Sequence, residues 1–242
     1  MERSPRLNPE QLLKDERIPK DALLRGASPE EVAGAIRAWL ANERPSYRGI
    51  MVTLARDEES IIRVEQRWKR LCRANSIDEQ MANIDRLDRA LTAFGEIVLM
   101  PEVVAELSSN SIFTRSIGAR TLMHEWWHIS RVESKRFYPF EEGSADVFAD
   151  LMYQRAFNKS SPPVRTYEEL SNAIELIGED TGVDNWYLAS RAAPSVMVWL
   201  SQFLTEIGYE SNAINDVLQY TNDDGTWLTR VKRMIATRKE KP

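Results

Sequence analysis

The sequence predicts an α+β protein in which helix predominates and the β-sheet is small. Three observations carry this. Apolar residues recur at three- and four-residue spacing through most of the 242 residues. Capping boxes at Ser28 and Thr166 mark helix starts. Two short runs, Ile50–Leu54 and Glu96–Met100, read as strands, so two or more strands are expected.

Residues 1 to about 25 are polar and rich in Pro, Arg and Lys, the composition of a loosely packed lead-in. Ser28-Pro29-Glu30-Glu31 opens a helix with proline at its first position and an apolar stripe of Val32, Ile36, Trp39 and Leu40. Pro45 and Gly49 break the chain before the first strand. Glu58 to Ala74 returns to helical spacing, with Ile62, Val64, Trp68 and Leu71 apolar. A further helix is expected from Ile77 to Phe94 through Met81, Ile84, Leu87, Leu91 and Phe94, with Gly95 as its stop. The second strand follows and ends at Pro101.

The next helix begins near Thr114 or Ser116 and runs to about Arg131. Pro139 starts another, from Phe140 to Phe157. Helices are then expected over Thr166–Ile177, Pro194–Ile207, Asn212–Tyr220 and from Trp227 into the basic tail. This order suggests a helical lead-in (1–45), a core carrying the strands (46–160) and a C-terminal helical part (161–242).

Composition narrows the function classes. A chain 43% hydrophobic and 29% charged, with mean hydropathy -0.44, reads as soluble and globular. A net charge of -5 counts against nucleic acid as a partner. No apolar run approaches bilayer length, so no membrane is expected. Cys72 is the single cysteine and has no intrachain partner, so it is expected to pack in a core. The opening Met1-Glu2-Arg3-Ser4-Pro5-Arg6 lacks a signal-peptide pattern, and the expected address is cytoplasmic.

The two histidines of the chain stand together in His124-Glu125-Trp126-Trp127-His128. On a helix, residues four apart share a face, so two imidazoles can grip one Zn2+ while the intervening Glu125 reaches a water beside it. Catalytic zinc takes three protein ligands. With no further histidine, a carboxylate must serve, and Glu142 is the candidate. Asp146, four residues on, is placed to accept the outer N–H of a ligand histidine. Glu141 is the fallback, though Ala145 gives it no acidic companion one turn on. Trp126 points away from the histidine face, into the core. Trp127 is expected to pack as well. Arg120 and Arg131 share the histidine stripe and are expected in salt bridges to nearby acids.

The pattern His124-Glu125-x-x-His128 with Glu142-x-x-x-Asp146 resembles the gluzincin metallopeptidases. The stretch Glu142-x-x-Ala145-Asp146-x-Phe148-Ala149 is similar to their small cytosolic ImmA/IrrE type, which usually carries Asn at the position of Asp146. The resemblance covers only Glu96 to about Tyr153. It implies a zincin-like core and hydrolysis of a peptide or protein substrate, with Glu125 as general base. It also implies that the strand Glu96–Met100 is an edge along which an extended peptide aligns. A downstream tyrosine such as Tyr187, or Arg191, would stabilise the oxyanion, and the sequence leaves that choice open. A second reading is a regulatory module that binds a partner through the same fold with little or no hydrolysis.

Overall fold

The computed structural model describes residues 27–43, 49–129, 137–193, 195–220 and 226–239. The expectations placed on residues 1–25, Pro45, Arg131, Pro194 and the last three residues lie outside these. The chain divides into two compact units. One comprises Asp15–Ile129 and Phe148–Val164; the other comprises Met1–Lys14, Ser130–Val147 and Arg165–Pro242.

In the first unit, helix α1 (Pro29–Glu43) starts at the expected capping box. The Ser28 N–H donates to Glu31 Oε2 at 2.7 Å, and the Glu31 N–H to Ser28 Oγ at 3.3 Å. All four residues of its apolar stripe are buried. Strand β1 (Met51–Leu54) leads into α2 (Glu58–Ala74), which has the expected bounds and is capped reciprocally by Asp57 and Ser60. Its buried stripe is Ile61, Val64, Trp68 and Cys72, while Ile62 and Leu71 face outward. Cys72 is a packing residue, as read.

The helix expected over Ile77–Phe94 does not form. A 3-10 turn (Glu79–Ala82) and further turns occupy its first half, and strand β2 (Ala90–Ala93) its end. Short polar side chains divert the backbone: Asp78 Oδ1 accepts the Gln80 N–H and Asp85 Oδ1 the Leu87 N–H, each at 2.9 Å. Met81 and Leu87, central to the apparent stripe, are 70% and 91% exposed. Gly95 is therefore part of a hairpin turn. Phe94 and Gly95 have φ of 52° and 76°, the paired positive values of the two-residue turn that matches strand twist.

That turn joins β2 to β3 (Glu96–Leu99) antiparallel, while β1 pairs β3 in parallel, giving the order β1-β3-β2. The expectation that Glu96–Met100 is an edge strand is overturned: β3 is paired on both sides and fully buried. Leu91, Ala93 and Val98 pack with Trp68, Cys72 and Ile84 on one face of the sheet. On that face the buried Glu96 carboxylate accepts from Trp68 Nε1 at 2.8 Å and from Thr53 and Arg67. The alternate residues, Ala90 and Thr92, face the other way.

Helix α3 (Pro101–Ser108) was hidden behind its proline, which occupies the first turn, where no N–H is needed. It packs on α4 (Ile112–Ile129), which carries the histidine motif. At their contact a Cβ on Gly118 would stand 3.0 Å from Leu107 Cγ, so glycine sets the approach. Helix α4 also packs against β2 and β3. Helix α5 (Tyr138–Phe157) begins in the second unit and ends in the first.

The second unit continues with α6 (Glu168–Thr181), a 3-10 helix (Trp186–Ala192), α7 (Val196–Glu206), α8 (Ser211–Leu218) and α9 (Trp227–Lys239). Trp186, Trp199 and Phe203 stack with near-parallel rings, and Phe140 meets this stack edge-on. Arg238, in the basic tail, pairs with Asp180 at 2.9 Å. Among the described residues no helix is long and apolar enough to cross a membrane.

Candidate metal centre

Helix α4 is buried on nearly all sides, and that explains why its sequence lacks a simple apolar stripe. Leu122, Met123, Trp126 and Trp127 are fully buried; Trp127 packs on Phe148 with ring centroids 5.5 Å apart. Both tryptophans are thus packing residues. Ser111 Oγ accepts the Thr114 N–H at 3.3 Å and serves where Thr114 or Ser116 was expected to cap.

The polar residues of α4 are matched rung by rung along α5. Ser116 Oγ and Tyr153 OH are 2.5 Å apart, and burial raises the Tyr153 phenol above its usual pKa although this hydrogen bond opposes it. Arg120 Nε donates to Asp150 Oδ1 at 2.7 Å with both groups largely buried. These two rungs define an antiparallel register.

His124, His128 and Glu142 each offer a ligand atom, and all three atoms lie within 4.8 Å of one another. The two Nε2 atoms stand 3.2 Å apart. Two nitrogens bound to one tetrahedral zinc at about 2.0–2.1 Å are separated by roughly 3.3 Å, so the imidazoles already have the spacing of co-ligands. Two imidazoles and one carboxylate are also the donor chemistry of a catalytic zinc site that keeps a position open. The residues fit the ion. Glu141, the fallback, is 3% exposed and is not in the group.

Two further carboxylates, Asp146 and Glu125, lie close to these residues in the chain. Asp146 is fully buried, and its Oδ2 accepts the Tyr167 N–H at 2.8 Å and the Ser171 hydroxyl at 3.3 Å. Tyr167 is the N-cap of α6, so the capping box expected at Thr166 does not form. Asp146 meets an orphan N–H at the positive end of α6 instead. Beside Asp146, a Cβ on Gly143 would fall 2.5 Å from the Leu170 carbonyl oxygen. Glycine there lets α5 and α6 meet one residue from Glu142.

Glu125 is half-buried, and its Oε2 accepts a 2.6 Å hydrogen bond from Thr92 Oγ1 on β2. Sequence reasoning missed Thr92 because it lay within the expected helix; the Phe94-Gly95 hairpin turn was the available signal. Tyr187 and Arg191, the oxyanion candidates, are both buried on the 3-10 helix.

No family model, curated protein or solved structure matches the chain.

Proposed function

We propose that the chain is a zinc-dependent peptidase with His124, His128 and Glu142 as ligands. The observation that carries this reading is the convergence of those three donors, with Glu125 the next residue after His124 on α4. A zinc ion held by such donors acidifies a water molecule and polarises a carbonyl oxygen. Glu125 would take a proton from the attacking water and pass it to the departing amine, serving first as base and then as acid. Asp146 is the candidate to fix the ring orientation of a ligand histidine, one turn along α5 from Glu142.

The substrate is an extended peptide. Among the described residues β2 pairs with β3 alone, which leaves its other edge as a template for one more strand. Strand β2 thus takes the role first expected of Glu96–Met100.

The test is a peptide library incubated with the zinc-loaded protein and read by mass spectrometry, with Glu125→Gln as the comparison. Cleavage should fall by about 10²–10⁴-fold in the variant, the usual contribution of a general base, while zinc is retained. Equal cleavage by both proteins would remove Glu125 from the chemistry. Zinc binding with no cleavage by the wild type would favour a partner-binding module.

A further inference from the structure

We infer that Thr92 is a positioning residue that fixes the general base to the strand receiving the substrate. This inference rests on the peptidase reading above.

The turn residues Phe94 and Gly95 leave Ala93 and Glu96 as the hydrogen-bonded pair that closes the hairpin. Bonded and non-bonded pairs alternate along an antiparallel ladder. Leu91 and Val98 are therefore a bonded pair, as are Arg89 and Met100, and the Met100 N–H does donate to the Arg89 carbonyl at 3.0 Å. Thr92 and Ile97 fall between them as a non-bonded pair. The N–H and C=O of Thr92 consequently point to the unpaired edge of β2, where an added strand would find them.

The side chain of Thr92 lies on the opposite sheet face from Leu91 and Ala93, which pack into the core against α2. On that face it meets α4, and its hydroxyl donates to Glu125 Oε2 at 2.6 Å. One residue thus offers backbone groups to an incoming peptide while its hydroxyl holds one carboxylate oxygen of the base. The second oxygen is left to receive the proton. A free glutamate would sample several rotamers, and a misplacement of about 1 Å is enough to cost orders of magnitude in rate.

Thr92→Val keeps the branched shape that suits a strand and deletes the hydroxyl; Thr92→Ser keeps the hydroxyl. With a peptide identified as above, Thr92→Val should lower kcat about tenfold, the kinetic equivalent of one charge-assisted hydrogen bond, with KM and zinc content unchanged. Thr92→Ser should restore kcat to within about threefold. A second readout needs neither metal nor activity. In the metal-free protein, the Tm losses of Thr92→Val and Glu125→Ala should be non-additive in the double variant. The inference is overturned if Thr92→Val retains wild-type kcat, if Thr92→Ser fails to rescue it, or if the Tm losses simply add. A wild type that binds zinc and cleaves nothing overturns the peptidase reading and takes this inference with it. Failure of the inference alone leaves wild-type cleavage intact.

Discussion

The two faces of α4 are equally buried and chemically opposite. One carries Leu122 and Trp126, both fully removed from solvent. The other carries Ser116, Arg120 and His124, each less than a tenth exposed. The apolar face follows from the hydrophobic effect, since a buried tryptophan removes on the order of 200 Å² from water. The polar face opposes folding unless every group finds a partner, and an apolar seam of equal volume would hold α4 at least as well. Ser116 and Arg120 find theirs in Tyr153 and Asp150. The seam then runs on to two imidazoles and a carboxylate, groups whose usual reason for such company is a metal ion. One face of α4 stabilises the fold, whereas the other runs toward a group that could hold a metal ion.

Breaking the apolar face should have the largest effect on folding. Trp126→Ala leaves a large cavity and should lower stability by about 3–5 kcal/mol in chemical denaturation. The polar face should respond in a way no apolar face can. Arg120→Ala removes the buried guanidinium paired with Asp150 and should cost about 3 kcal/mol, near the lower end for a buried pair because Asp150 retains some exposure. Replacing both partners, as Arg120→Met with Asp150→Leu, should recover most of that loss. Asp146→Ala should have the smallest effect on the site, weakening zinc affinity by about 10–100-fold in competition with a chelator without abolishing it. A loss as complete as that of a ligand variant would make Asp146 a ligand.

Legibility in the sequence tracked how local the determining interactions are. Helices α1 and α2 were readable because Ser28 with Glu31, and the helical spacing through Val64 and Trp68, act within one helix, although Ile61 and Cys72, not Ile62 and Leu71, complete the buried stripe of α2. The motif helix and the start of α5 were readable for the same reason. Strand β2 was not, because Leu91 and Phe94 fit a helical stripe and only pairing with β3 makes them a hairpin. Helix α3 escaped because Pro101 was read as a strand stop although it equally begins a helix.

The candidate site divides the same way. His124, Glu125 and His128 stand out through spacing alone, and Glu142 through its place after them. Thr92 depends on a contact spanning 33 residues. The contact of Asp146 with the start of α6 spans 21 residues, and sequence spacing had suggested only a histidine partner for it.

The most direct measurement is zinc per chain by elemental analysis of the purified protein, with His124→Ala as the control. About one zinc is expected in the wild type and little in the variant, because two remaining donors make a poor site. Absence of zinc from the wild type after the metal is added back, or equal zinc in both proteins, would contradict it.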